Sequence, residues 1–162
     1  MELEINEIGE EHAEGIKRLV YSLFESDRLA IRYKEMPMSQ ELDMLIEKKI
    51  EMSRQGRLAD MVAISHGSVI GECEITIDGS EGKIGILVEK AFQHKGIGTR
   101  LLEACISRAR GAGVNRVIAE IAGQNSGAFA FFGKMGFKAT GGSGKMVIDG
   151  KETDIKILEK FI

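Results

Sequence analysis

The chain has 162 residues, 43% of them hydrophobic and 29% charged, with 22 basic against 25 acidic side chains and a formal net charge of −3. That is enough chain for one domain to close its own core, in the composition range of soluble globular proteins. A balance this near neutral excludes the basic footprint of a nucleic-acid binder, and beyond that only tips the balance slightly toward cationic partners over acidic ones.

The first residues, "MELEINEIGEEHAEG", are acidic and lack the apolar run of a signal peptide. No segment reaches the apolar length of a membrane span. Cys73 and Cys105 share no local motif and read as small core residues in a reducing compartment. The expectation is a cytoplasmic protein with no membrane or nucleic-acid partner.

"LEINEI" alternates as a first strand, and from Glu11 to Phe24 the apolar residues Ile16, Leu19, Val20, Leu23 and Phe24 recur at helical spacing. "ESDRLAIRYKEMPM" is an irregular connector with the only proline, Pro37. A second helix is expected from Ser39, read as its N-cap, to just before Gly56. "MVAIS" and "SVIGECEITI" form a hairpin turning at His66 and Gly67, and "IDGSEGK" turns the chain into "IGILV". A third helix runs from about Thr99 to Arg110 and stops at "GAG". "RVIAEIA" is a strand, "NSGAFAFFGKM" a helix and "GFKAT" a strand. "GGSG" is read as a loop into a last hairpin, "KMVIDGKETDIKILEKF", turning at Asp149 and Gly150. The order predicts a mixed α/β sheet in one domain over residues 1–162.

The stretch "VEKAFQHKGIGTRLL" carries the first chemistry: strand, glycine turn, helix. The opening amides of a helix lack intrahelical partners and carry partial positive charge, so they suit an anion. Gly96 and Gly98 allow close backbone approach, and Gln93, His94 and Lys95 precede them with donors and charge. A dinucleotide fingerprint fails because Leu101 stands where its third glycine belongs. "ATGGSGKM" fails as a P-loop at Ala139 and Met146, and it leads into a hairpin. Taken alone, the turn is equally a tight entry to a helix.

Two spaced motifs decide the reading. Val88, Phe92, Gln93, Gly96 and Gly98 are similar to the cofactor signature of the GNAT superfamily of acyl-CoA-dependent N-acetyltransferases. "NSGAFAFFGKMGF" resembles that family's second motif at Asn125, Ala128, Phe131, Lys134, Gly136 and Phe137. The resemblance implies a mixed, mostly antiparallel sheet flanked by about four helices, and acetyl-CoA as cosubstrate without a metal. It implies that the turn at Gln93, His94, Lys95, Gly96, Ile97, Gly98 and Thr99 binds the pyrophosphate. The pantetheine arm would lie between "IGILV" and "RVIAEIA", pairing near Leu87 and Val88, one of whose amides would polarise the thioester carbonyl. Asn125 would contact that arm; Lys134 would reach the nucleotide phosphates or simply face solvent.

Acetyl transfer to an amine needs an acceptor for the amine's proton. Glu120 is the first candidate: it alternates with Ile118 and Ala122 in an apolar strand, where desolvation would raise its pKa, and its place five residues before Asn125 is similar to that of the base glutamate in ribosomal-protein-alanine acetyltransferases. The alternative is a strand glutamate paired with lysine or arginine, or solvated. Glu72 and Glu74 share one sheet face, read as solvated, with a catalytic role as the lesser reading. His12, His66 and His94 are not spaced as metal ligands.

Phe132 stands where the family usually has a tyrosine that protonates the leaving thiolate. A phenyl ring cannot donate, which weakens the mechanism without removing it, since a thiol is a tolerable leaving group. Tyr33 in the connector either stands in or packs. Met36, Met38, Met44 and Met52 read first as core filling, second as an adaptable acceptor wall. The expected function is acetyl transfer to a primary amine of an unidentified acceptor, with a catalytically quiet acyl-CoA sensor as the alternative. A free sheet edge near the last hairpin leaves room for a homodimer.

Overall fold

The computed structural model describes residues 2–31 and 35–162, so Tyr33 lies outside the described residues. Its strands are β1 (Glu4–Glu7), β2 (Leu58–Ser65), β3 (Ser68–Asp78), β4 (Glu81–Val88), β5 (Arg116–Ala122), β6 (Lys138–Ile148) and β7 (Lys151–Phe161). They make one sheet in the order β1-β2-β3-β4-β5-β7-β6. Every neighbouring pair is antiparallel except β4 with β5, which is parallel. The helices are α1 (Ala13–Ser26), α2 (Ser39–Arg54), α3 (Ile97–Gly111) and α4 (Ser126–Lys134). An α/β fold with a mostly antiparallel sheet and four helices is thus what the chain forms.

The period-two alternation of the strands separates two cores. Ala59, Cys73, Ile75, Ile84, Val117, Ala119 and Ile121 point to one face and pack with Leu101, Leu102, Cys105 and Phe132 of α3 and α4. Val62 and Val69 point to the other and pack under Ile16, Leu19 and Leu23 of α1 and Leu42, Ile46 and Ile50 of α2. The Cys105 thiol donates to the carbonyls of Ala59 and Cys73, each at 3.3 Å, and both cysteines are free and buried. Burial, then the Cys105 thiol beside it, pushes the Cys73 thiol well above its ordinary value.

Three local expectations need correction. "GGSG" is not a loop: β6 runs through it, and the ladder to β7 absorbs the glycines in a register shift between Ala139 and Ser143, with Gly141 at φ +83°. Ser39 is the first helical residue of α2 rather than its cap; the backbone N–H of Met38 donates to Glu41 Oε2 at 3.2 Å. The methionines are not core filling: Met36, Met38 and Met44 are exposed, and only Met52 is half-buried. Among the described residues, no helix is long and apolar enough to cross a membrane.

Candidate functional site

The parallel pair β4–β5 is laddered from Glu81↔Arg116 to Ile84↔Ala119 and then stops. β4 stays bound to β3 as far as Val88, and β5 stays bound to β7 as far as Ala122. Gly85–Val88 and Glu120–Ala122 therefore diverge, leaving a gap open to one extended chain between two sheet edges. Leu87 and Val88 sit half-buried on its β4 wall. The Val88 carbonyl accepts from Gln93 Nε2 at 3.0 Å.

The glycine turn opens at the end of this gap. After a single 3-10 turn at Lys90–Phe92, Gln93 is extended, His94 has φ +60° and Gly96 φ +80°. Only a residue without a Cβ takes the second of these without strain. α3 then begins at Ile97, two residues before the expected Thr99, with no side chain capping it. His94, Lys95 and Gly96 are exposed, Gly98 and Thr99 half-buried, and Ile97 is buried as the anchor. A Cβ on Gly98 would stand 3.2 Å from Phe131 Cε1, so α3 and α4 approach closely here. Gln93 also donates to Asp27 Oδ2 at 3.1 Å, and Lys90 Nζ to the Ser26 carbonyl at 3.2 Å. The turn is thereby fastened to the C-terminal end of α1.

The second motif forms the start of α4. Asn125 Oδ1 accepts from the Ala128 amide at 3.1 Å, which caps the helix and leaves the Asn125 amide group as a donor. Phe132 is buried edge-to-face between Phe131 and Phe137, at centroid distances of 5.3 and 5.0 Å. Its ring is part of the core. Lys134 is exposed.

Glu120 does not sit in an apolar setting. Its side chain is 26% exposed and meets Lys83 Nζ at 2.8 Å. Val117, Ala119 and Ile121 take the buried face of β5, so Ile118 and Glu120 turn to the half-open side of the sheet. Of the histidines, His66 is in the exposed β2–β3 turn with φ +48°, and His12 is buried with Nδ1 accepting from the Gly9 amide at 3.0 Å.

The reading of Glu72 and Glu74 as a solvated face is overturned. Glu72 is buried and Asp60 of β2, opposite Glu74 in register, is fully buried. Lys49 reaches down from α2 to all three: it bonds Glu72, lies 2.8 Å from Glu74 Oε2 and 3.5 Å from Asp60 Oδ2. The three carboxyl groups offer oxygens within 4.8 Å of one another. Three carboxyls this close are a ligand set in kind, but Lys49 already supplies a cation there. Burial, then the Glu72 charge, pushes the Asp60 carboxyl well above its usual range, against the pull of Lys49. Neither Asp60 oxygen has a hydrogen-bond partner among the described residues. Burial lowers the Lys49 pKa, but the charges of Glu72, Asp60 and Glu74 outweigh it and hold the ammonium well above its usual value. Asp60 stands one residue before the strand expected from "MVAIS", so sequence reading missed it.

The wall above the gap is a strap. The Arg28 guanidinium stacks 4.3 Å over the Phe24 ring, donates to the Ile31 carbonyl and pairs with Asp149 in the β6–β7 turn at 2.7 Å. Leu29 packs on Ala122, Ile148 and Ile155.

Residues 19–137 match the model of the Acetyltransferase (GNAT) family. Among curated proteins, none matches the chain. The fold is similar to that of an N-acetyltransferase from Staphylococcus aureus Mu50, at TM-score 0.84 and 19% identity, covering 99% of each chain. It is also similar to a ribosomal-protein-alanine N-acetyltransferase from Brucella melitensis, at TM-score 0.84 and 22% identity, covering 98% of this chain and 99% of that one. The PaiA N-acetyltransferase from Thermoplasma acidophilum, solved in complex with coenzyme A, aligns over 100% of both chains at TM-score 0.74 and 21% identity.

Proposed function

This chain belongs to the GNAT acetyltransferase family, and on that premise we propose that it moves an acetyl group directly from acetyl-CoA to a primary amine. The observation that carries the reading is the β4–β5 gap ending at an uncapped helix start. An extended pantetheine arm fits between two unpaired strand edges, and the outward amides around Gly96, Ile97, Gly98 and Thr99 suit a pyrophosphate. Asn125, with its oxygen committed to the α4 cap, would offer its amide group to the same arm. We read residues 1–162 as one domain acting in the cytoplasm, with the exposed β6 edge as the place where a second copy would pair.

The thioester supplies the activated acetyl group. The amides at Leu87 and Val88 would polarise its carbonyl, and Glu120 on the half-open face of β5 would take the amine's proton, directly or through water. Lys83 keeps Glu120 oriented at that edge. The departing thiolate finds no donor on Phe132, which favours one second reading: a catalytically quiet protein that binds acyl-CoA.

Release of free CoA thiol, followed with acetyl-CoA and a panel of primary amines, separates the two. Amine-dependent release establishes transfer. Binding of acetyl-CoA without amine-dependent release establishes the sensor.

A further inference from the structure

Gly85 is a glycine that the fold itself does not require. Its φ is not positive, and a Cβ placed on it would meet only Glu74 Cγ at 3.6 Å and Glu74 Oε1 at 3.7 Å, ordinary contacts. Gly82, on the same strand, is the opposite case: a Cβ there would overlap Ile75 and lie 3.3 Å from Val114. A mid-strand glycine costs about 0.5–1 kcal/mol relative to alanine. Where nothing inside the protein needs it, it marks a place that something else approaches.

The register says what flanks that place. Asp60 pairs with Glu74, Glu74 pairs with Gly85, and the last β4–β5 pair, Ile84↔Ala119, puts Glu120 beside Gly85 across the opening gap. Asp60, Glu74, Gly85 and Glu120 therefore form one row on one face of the sheet. Glu74 and Glu120, two strands apart across the opening gap, are separated by at least about 10 Å at the backbone. Glu120 already has Lys83. Among the described residues, the other end of the row is short of positive charge: three carboxyl groups face the single ammonium of Lys49. Even with Asp60 counted as neutral, Glu72 and Glu74 carry one negative charge more than Lys49 offsets. Glu74 uses Oε2 on Lys49, while Oε1 stands over Gly85 and makes no hydrogen bond among the described residues.

We propose that Glu74 sets the choice of acceptor, and that the acceptor is an amine bearing a second positive charge. Its chain lies over Gly85, with the reacting nitrogen toward Glu120 and the second charge on Glu74 Oε1. A carboxylate in place of that second charge would meet the same excess of negative charge and be rejected. The inference rests on the acetyl-transfer reading above.

The test is a charge series of acceptors of one chain length: 1,4-diaminobutane, n-butylamine and 4-aminobutanoate, with kcat/KM read by CoA release. The diamine should exceed butylamine, and butylamine the amino acid, by about tenfold at each step, and added salt should compress the series. Glu74→Gln should collapse the diamine-to-butylamine ratio toward one while keeping the melting shift given by acetyl-CoA. Should Glu74→Gln not fold, Glu74→Ser serves: it should collapse the same ratio and keep that shift. A flat or reversed series in the parent protein with the acetyl-CoA shift intact overturns the inference alone, as does a ratio that the Glu74 substitution leaves unchanged. Loss of any acetyl-CoA shift in the parent protein overturns the transfer reading beneath it, and the inference with it.

Discussion

Asp60 and Glu72 lie on neighbouring strands, both buried on the same face of the sheet, with the Lys49 ammonium of α2 as the one cation against them among the described residues. The arrangement fixes α2 to the sheet and makes its docking sensitive to protonation.

Asp60 is more easily protonated in the fold than in the unfolded chain. Its contribution is therefore favourable at pH below the ordinary carboxyl range and is lost as pH rises through the raised value, above which it stays lost. Asp60→Asn keeps the neutral shape at every pH. The variant should gain stability relative to the parent progressively as pH rises from about 4 toward the raised value. Urea melts across that range check it; a constant difference contradicts a neutral Asp60.

Lys49→Met should cost about 3–5 kcal/mol near neutral pH, because Glu72 and Glu74 are left without their cation in a largely dry place. The Lys49 ammonium, held above its usual value, stabilises the fold at all pH below the ordinary lysine range and loses this only as pH rises beyond it. Denaturant midpoints of the two proteins measure the difference. A cost near zero would mean that α2 is held by Leu42, Ile46 and Ile50 alone.

Gly98→Val puts a branched side chain where a Cβ already comes 3.2 Å from the Phe131 ring. Phe131 is half-buried and can yield, so the protein should fold with a loss of about 1–3 kcal/mol. The displaced ring and the blocked helix start should remove most of the acetyl-CoA melting shift. Retention of the full shift would place the phosphates elsewhere.

Glu120→Gln should lower turnover on a true acceptor by about a hundredfold or more and barely change acetyl-CoA affinity. An unchanged rate transfers the proton to water or to Glu74.

The fold was legible because periodicity is local. The strand "RVIAEIA" and the helix "NSGAFAFFGKM" lie where their patterns put them, and the turns at His66–Gly67 and Asp149–Gly150 take the positive φ their residues favour. The glycine turn was legible too, because Gly96 answers to a backbone demand that only one residue type meets cheaply. What tertiary pairing decides was not legible. The β4–β5 gap depends on where a parallel ladder ends, which no single strand's sequence states. Glu72 and Glu74 alternate as a wet face would, and only Lys49, from a helix with two adjacent lysines, shows that the face is covered. The burial of Phe132 between two aromatic rings likewise depends on how α4 settles on the sheet.

The most direct measurement is the melting temperature with and without acetyl-CoA. At a hundredfold excess over its dissociation constant, binding should stabilise the fold by about 2.7 kcal/mol. For a chain of this size that is a rise of roughly 5–11 °C, at about 2–4 °C per kcal/mol. A rise of this size is the result the β4–β5 gap and the glycine turn require. An unchanged melting temperature at saturating acetyl-CoA would contradict their assignment to this cosubstrate.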